Sequence, residues 1–480
     1  MKKVLLLSLI IAPLLSLSAC TQEDLGGFNK ETQQAIRDLV NTYKNTKNAY
    51  VVSDFDNTTS IFDIAYQCSI YQLETMSFAL SKEEIGDVLK TKLDESETLN
   101  NYVDDIVASY SHLVDTYGPF TAAGVEDSQL TTLHNDDYYK EFSTKMQCLY
   151  GFVEDTVSDV MGYEWIMYWY TNMSEDEVYN MFKNSCLAYK NVKTTQATWT
   201  SPSSITSKAG VVSKDLILGV SVTRSVKNML KFYKRNNIDT WICSASHLDG
   251  VRAAVDAYGL SDCITGVIGM TQKLNNGKFV PDYDYETGYP YINKGFGKWE
   301  KTNTPIKALP GREGKVTAIK NALYPRYKNK QPLAGFMDAS GDFNFCTEFK
   351  DMKMVICYNR ANRKITEGAG LVAIAAMYQK SKDLDLKTAN KNGDTYYLLQ
   401  GRNENGLRSL RDNNCTIRFG ETEEKLFANE DNYTLYNYVI ENNLSISSFF
   451  NTFAIKTSAS DSVIGIAHGH LESYSGYHSV

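Results

Sequence analysis

Long apolar runs are missing from this sequence after residue 20. A helix that crosses a bilayer needs about 20 consecutive, mostly apolar residues, and no later stretch approaches that length. An excess of positive charge is missing too, because 49 Lys and Arg residues face 57 Asp and Glu residues, for a net charge of -8. Nucleic acids select basic surfaces, so nucleic acid is not expected as a partner.

A catalytic cysteine and internal repeats are not indicated by the sequence either. None of the nine cysteines lies in a context typical of a catalytic nucleophile, and the sequence contains no internal repeat. The composition is ordinary for a soluble globular protein, with 43% hydrophobic and 22% charged residues. A length of 480 residues gives room for two or three folded units.

The N-terminus has the pattern of a secretory signal. Lys2 and Lys3 precede the apolar residues 4–17, and small residues then lead to Cys20. The end of this segment resembles a bacterial lipobox. The resemblance implies a signal peptide over residues 1–19, lipidation of Cys20 and an anchor and leader over residues 20–48. The alternative is an ordinary signal peptide with an incidental cysteine.

Lipidation would hold the protein at the cell envelope, on the periplasmic face or the cell surface, with the membrane as a partner through the anchor. Disulfides are permitted in those compartments, but the pairing of the cysteines is not readable from the sequence. No feature indicates the oligomeric state.

Strand and helix signals alternate in much of the chain. Residues 49–52 form a short apolar strand, whereas residues 60–190 lack β signals and favour a mostly helical insertion. Residues 195–215 are rich in Ser, Thr and Lys and are expected to form a linker. From residue 220 strands and helices alternate, which predicts an α/β fold with a parallel sheet whose chemistry lies at the carboxyl ends of the strands.

The first candidate site is the sequence DFDNT at residues 54–58, directly after the predicted strand. Asp54 and Asp56 are separated by one residue, so both carboxylates can point the same way at the strand end. One carboxylate can then attack phosphorus while the other handles protons. A solvated acidic turn is the alternative interpretation of this pattern.

Three further sites follow strands or open helices. Ser244 ends the strand over residues 239–243, where a hydroxyl and free backbone amides form a natural phosphate seat; Ser246 is expected to cap the next helix. Lys315 opens a helix after Gly314 and can neutralise carboxylates or phosphoryl oxygens. Asp338 and Asp342 follow the strand over residues 333–337 and suit Mg²⁺, which prefers oxygen ligands.

These four sites, in this order, resemble the motifs of the haloacid dehalogenase superfamily. The resemblance implies a Rossmann-like core over residues 49–59 and 220–364 and a large helical C1-type cap over residues 60–219. It leaves residues 365–480 as a C-terminal extension of unknown role. The phosphoserine phosphatase and phosphorylcholine phosphatase branch is the most similar one, because DFDNT, the segment around Ser244 and the sequence YNR at residues 358–360 match it. Met337 replaces the glycine usual before the fourth motif.

The resemblance also implies roles for the first motif. Asp54 is the nucleophile that forms an aspartyl phosphate, and Asp56 protonates the leaving oxygen and later activates water. Thr58 orients Asp56 and belongs to the phosphate-binding set. Asp54 and the backbone carbonyl of Asp56 are metal ligands.

The remaining motifs complete the implied site. Ser244 and Lys315 bind the phosphoryl group, and Lys315 also holds the charge of the nucleophile. Asp338 binds Mg²⁺, and Asp342 binds it through water or orients Lys315. The expected function is therefore that of a Mg²⁺-dependent phosphomonoesterase acting on small phosphate esters. Phosphotransfer to an alcohol and a binding lipoprotein without catalysis are the alternatives.

Aromatic residues of the insertion bear on the substrate. Tyr163, Trp165 and residues 168–170 could cage a quaternary ammonium by cation–π attraction, which makes phosphorylcholine a candidate beside phosphoserine-like esters. The alternative is that they pack the core of the insertion. His468 and His470 suggest either a metal site or a solvated tail.

Overall fold

The structure is a computed structural model, and it describes residues 25–156, 159–295, 297–365 and 367–450. The expected signal peptide, Cys20, His468 and His470 lie outside these residues. In the described part of the chain, no helix is both long and apolar enough to cross a membrane. The eight cysteines of this part are free thiols.

The chain begins with α1 (Lys30–Tyr43) and β1 (Tyr50–Ser53). A helical insertion follows, and we use this name for residues 60–219. Its elements are α2 (Ile64–Thr75), α3 (Ile85–Lys90), α4 (Glu97–Tyr117), α5 (Asp127–Asn135), α6 (Asp137–Thr156), α7 (Asp159–Met167), α8 (Glu175–Tyr189), β2 (Thr195–Thr200) and β3 (Ser213–Leu218).

The chain then returns to an α/β alternation. Its elements are α9 (Arg224–Arg235), β4 (Asp239–His247), α10 (Leu248–Ala257), β5 (Gly266–Met270), β6 (Gln272–Asn275), β7 (Lys278–Tyr283), β8 (Tyr291–Asn293), β9 (Trp299–Lys301), α11 (Glu313–Tyr327), β10 (Ala334–Met337), α12 (Phe343–Glu348) and β11 (Met354–Tyr358). The C-terminal part adds α13 (Gly368–Ser381), α14 (Leu386–Lys391), β12 (Tyr396–Gln400), β13 (Arg402–Asn403), β14 (Ser409–Leu410), β15 (Thr416–Ile417), β16 (Glu424–Lys425) and α15 (Glu430–Glu441).

The central sheet confirms the predicted α/β, Rossmann-like fold. Its order is β12-β11-β10-β1-β4-β5-β8-β9. The strands from β12 to β5 are parallel to one another, and β8 and β9 add two antiparallel pairings at the edge. Every residue of β1 is buried, as expected for a central strand covered on both faces. Apolar residues of α1, α9 and α10 pack on one face, and those of α11, α12 and α13 pack on the other.

Three local features bear on the expectations from sequence. The segment expected as a linker contains β2 and β3, which pair as an antiparallel hairpin; its Thr residues and Trp199 are strand formers, which the Ser- and Lys-rich composition obscured. The central sheet takes β12 from the segment assigned to a C-terminal extension. The following strands form a second sheet in the order β14-β13-β15-β16, which we call the small sheet.

Candidate functional site

A cavity of about 230 Å³ lies at the carboxyl ends of the parallel strands. Its walls come from the loop after β1, the end of β4, the loop before α11 and the loops after β10 and β11. Residues of α6, α7 and the turn after α7 close it from the side of the helical insertion. This placement agrees with the rule that open α/β sheets bind ligands beyond the carboxyl ends of their strands.

Lys315 joins two carboxylates in this cavity. Its Nζ donates to Oδ1 of Asp54 at 2.6 Å and to Oδ1 of Asp342 at 2.5 Å. Burial works against the charged amine, but the carboxylates of Asp342 and Asp54 outweigh it and raise the pKa of Lys315 well above its ordinary value. The amine is therefore a fixed positive charge between the ends of β1 and β10.

Asp338 lies beside this pair with both of its carboxylate oxygens engaged. Thr58 Oγ1 donates to Oδ1 at 2.9 Å, and Arg360 Nη1 donates to Oδ2 at 3.1 Å. Thr58 thus contacts Asp338 and not Asp56, contrary to the role expected for it. The physical reason is the positive φ of 59° at Asn57, which reverses the chain and turns Thr58 toward the end of β10.

Asp54, Asp338 and Asp342 form a buried triad that could hold a metal ion. One carboxylate oxygen from each lies within 4.8 Å of the others, and the residues are only 6%, 3% and 2% exposed. Burial and the negative charge of Asp342 raise the pKa of Asp54 well above its ordinary value, although Lys315 lowers it. Three hard oxygen donors this close together suit a divalent cation, so the residues fit one.

Asp56 stands apart from the triad. Its Oδ1 accepts from the amide of Ile64 at 2.7 Å, and its Oδ2 accepts from Ser246 Oγ at 2.6 Å and Ser244 Oγ at 3.2 Å. Burial, reinforced by the charge of Asp63, raises the pKa of Asp56 to about 8. The predicted metal contact through its backbone carbonyl stays a prediction.

Ser246 is not the helix cap that the sequence suggested. β4 continues to His247, and α10 begins after it with the His247 side chain accepting from the amide of Asp249. Ser244 and Ser246 both reach Asp56 from a stretch of β4 whose pairing with β5 is irregular between Cys243 and His247. A local irregularity of this kind has no sequence signal.

Sequence reasoning also missed Asp63 and Arg363, which line the cavity. Asp63 caps α2, where its carboxylate accepts from the amide of Tyr66 at 2.9 Å; its position just before an apolar helical run could have predicted that cap. Arg363 lies 3.8 Å from Asp338 and 3.6 Å from Glu367. No sequence pattern predicts that an arginine beyond the end of β11 reaches this cavity.

The aromatic residues of the insertion divide between two environments. Trp165, Tyr168 and Trp169 are buried in its core, where Trp165 and Trp169 meet edge to face at 5.7 Å between ring centroids. Tyr163 and Tyr170 line the cavity instead. The cage expected from all of these rings is therefore reduced to the tyrosines that face the site.

Divalent cations should stabilise the protein if the triad binds them. Binding to the folded state alone adds about 2.7 kcal/mol at a concentration 100 times Kd, so the melting temperature should rise as cation is titrated. We expect Asp338→Asn to lose most of this rise, since it removes one charged ligand. Asp351→Asn is the control, because Asp351 is exposed; equal rises in both variants would contradict a site at the triad.

Comparisons with known proteins give a fold and no function. No protein-family model matches the chain, and no curated protein sequence is similar to it. The structure is similar to that of a conserved, functionally unknown protein from Anaerococcus prevotii DSM 20548, with 24% identity, a TM-score of 0.65 and coverage of 82% of this chain and 98% of that one. A protein of unknown function from Bordetella pertussis Tohama I matches at 10% identity and a TM-score of 0.26, over 65% of this chain and 89% of that one. The first likeness establishes a shared fold alone.

Proposed function

We propose that this protein is a Mg²⁺-dependent phosphomonoesterase of the haloacid dehalogenase superfamily that works through an aspartyl phosphate on Asp54. The observation that carries the proposal is the arrangement around Asp54. Lys315 binds one of its oxygens at 2.6 Å, the buried triad that could hold a metal ion includes it, and Asp56 lies on the same loop with its carboxylate held by Ser246. Phosphoryl transfer needs positioning and charge neutralisation above all, and these groups supply both.

The free oxygen of Asp54 is suited to nucleophilic attack. Oδ1 is bound by Lys315, whereas Oδ2 accepts no hydrogen bond from the residues that the structure describes. In the first step an Asp54 oxygen forms a bond to phosphorus and the bond from phosphorus to the ester oxygen breaks. Asp56 in its protonated form gives its proton to that departing oxygen, which leaves as an alcohol.

The second step regenerates the enzyme with the same two carboxylates. Asp56, now ionised, takes a proton from a water molecule as the water oxygen bonds to phosphorus. The bond between phosphorus and Asp54 breaks, and inorganic phosphate leaves. Ser246, Ser244 and the amide of Ile64 keep Asp56 pointed at the reacting atoms through both steps.

Mg²⁺ would be held by Asp54, Asp338 and Asp342, and it would supply positive charge that stabilises the transferred phosphoryl group. Lys315 donates to the carboxylates of both Asp54 and Asp342 and so fixes their positions relative to each other. Arg360 and Thr58 fix both oxygens of Asp338. These contacts orient the ligands before any substrate arrives, which is how preorganised sites reduce the cost of reorganisation.

The cavity favours small esters. A volume of about 230 Å³ leaves room for a phosphoryl group and a compact alcohol. Tyr163 and Tyr170 line the cavity, as do the positively charged Arg360 and Arg363. Phosphorylcholine and phosphoserine-like esters therefore remain the candidate substrates. The proposed location of the protein is the cell envelope, where lipid on Cys20 would anchor it.

The test is phosphate release from a panel of small phosphomonoesters by the purified full chain in detergent. We expect release with Mg²⁺ and none with chelator. Product analysis with added alcohols separates hydrolysis from phosphotransfer, since transfer yields a new ester in place of inorganic phosphate. Absence of both products for every ester would contradict the proposal and favour a binding lipoprotein.

A further inference from the structure

An arginine of the small sheet reaches the loop that carries Asp56. Arg402, at the start of β13, is 1% exposed. Its Nη1 donates to the backbone carbonyl of Asn57 at 2.8 Å, and its Nη2 donates to Asn57 Oδ1 at 3.2 Å. One edge of the guanidinium therefore binds both the main chain and the side chain of Asn57, the residue between Asp56 and Thr58.

Asn57 is the residue whose conformation shapes this loop. Its φ of 59° lies in the left-handed region, which asparagine adopts more readily than most residues but still at a cost. The reversal at Asn57 sends Asp56 toward Ser246 and Thr58 toward Asp338. A group that holds Asn57 thus acts on both motif residues at once.

Arg402 is itself held firmly. Its Nε and Nη2 donate to Glu404 Oε1 at 2.9 Å and 2.5 Å, and the other oxygen of Glu404 accepts from the amide of Phe419 at 3.1 Å. The guanidinium is planar and carries its donors in a fixed fork. The bonds from Nε and Nη2 to Glu404 fix the guanidinium in an orientation that brings Nη1 and Nη2 to Asn57.

The rest of the small sheet is also fastened next to the site. Thr416 Oγ1 donates to the carbonyl of Asn359 at 2.6 Å, and the amide of Arg402 donates to Thr416 Oγ1 at 3.1 Å. Asn359 directly precedes Arg360, which pairs with Asp338. The small sheet therefore touches the loops after β1 and β11, both of which line the cavity.

We infer that Arg402 is a positioning residue for the reaction, which holds the turn at Asn57 so that Asp56 faces the reacting atoms. This inference rests on the proposed function. It assigns the C-terminal segment a part in catalysis, although the segment supplies no reacting group. Small misplacements of a catalytic group, of about 1 Å, cost on the order of 10²-fold in rate, so a lost hold on Asn57 should be visible in kcat.

The experiment compares three variants of the small sheet in the full chain. Arg402→Met with Glu404→Gln removes the hold on Asn57 without leaving an unpaired buried charge. Leu410→Ala is the control, because Leu410 is buried in β14 of the same sheet and its loss weakens packing without touching Asn57. Arg402→Lys keeps the charge beside Glu404 but loses the planar fork.

The readouts are kcat, KM and amide hydrogen exchange of residues 55–62. We expect the Arg402 double variant to lose kcat by about 10- to 100-fold with little change in KM, and to exchange faster over residues 55–62. Arg402→Lys should have a kcat and an exchange rate between those of the double variant and the unaltered protein. Leu410→Ala should change neither kcat nor exchange over residues 55–62, even if its melting temperature falls as much as that of the double variant.

Two outcomes would overturn the inference. One is a double variant whose kcat and exchange match those of Leu410→Ala, since the arginine would then serve stability only. The other is faster exchange without a loss of kcat, since the turn would then not position Asp56. If the unaltered protein released no phosphate from any ester, the proposed function would be refuted instead. In that case the exchange experiment still tests the contact with Asn57, because unchanged exchange over residues 55–62 in the double variant would refute it.

Discussion

Asp54→Asn should abolish phosphate release, with a loss of about 10⁴-fold or more, the scale seen when a covalent nucleophile is removed. The amide keeps the shape of the side chain but is a poor nucleophile and cannot offer the metal a negative charge. The variant should fold, because burial and the negative charge of Asp342 raise the pKa of Asp54 in the unaltered protein, so a neutral side chain is tolerated there. The measurement is kcat/KM on the best ester of the panel at saturating Mg²⁺.

The control for this variant is a change of the same kind far from the cavity. Asp351 is exposed, so Asp351→Asn should retain full activity. Mass spectrometry of the protein quenched during turnover should detect an added phosphoryl group in the unaltered chain and not in Asp54→Asn. Retained phosphate release in Asp54→Asn would mean that the nucleophile is a different group.

Lys315→Met should lower both stability and activity. It leaves the carboxylates of Asp54 and Asp342 buried without their shared cation, and breaking a buried ion pair costs about 3–5 kcal/mol in the free energy of unfolding. Phosphate release should fall by at least about 10²-fold, as when a charge-stabilising donor is removed from an active site. Chemical denaturation and ester hydrolysis measure the two effects separately.

Lys145 provides a matched control. This lysine is fully buried in the helical insertion, where its Nζ pairs with Asp105 at 2.7 Å and with Glu141. Lys145→Met should lose similar stability but keep its activity at temperatures where it stays folded. Added Mg²⁺ should stabilise both variants, since both keep the triad, but it should stabilise Lys315→Met more, because there the cation also replaces the lost positive charge. Equal stabilisation of both variants would contradict that explanation.

Much of the fold could be predicted from local sequence patterns. The apolar runs before Asp54 and Asp338 are the buried strands β1 and β10, and the alternation after residue 220 is the parallel part of the sheet. Such runs are recognisable because a central strand covered on both faces must be apolar along its length. The hairpin of β6 and β7 also has a local signal, because Asn-Gly suits a two-residue turn with positive φ, and Asn276 and Gly277 both have positive φ there.

The meeting of the motif residues follows from the sheet order. β1 lies between β10 and β4, so the residues after these strands meet at one edge, and Lys315 joins them from the start of α11. A sequence that places acids and a serine after successive buried strands already predicts such a cluster. It does not predict hydrogen-bond partners, because these depend on side-chain orientations and on differences of a few ångströms in position. The contact of Thr58 with Asp338 is an example.

The sequence by itself determined the α/β fold, the strands that carry the candidate site and the kinds of groups that face the cavity, because each leaves a local pattern. Only the tertiary structure decided that β12 extends the central sheet, that Ser246 reaches Asp56 and that Arg402 holds Asn57 from 345 positions away. A single buried arginine has no period and no neighbouring motif. Its role arises from the packing of the small sheet against the loop after β1, which no local pattern encodes.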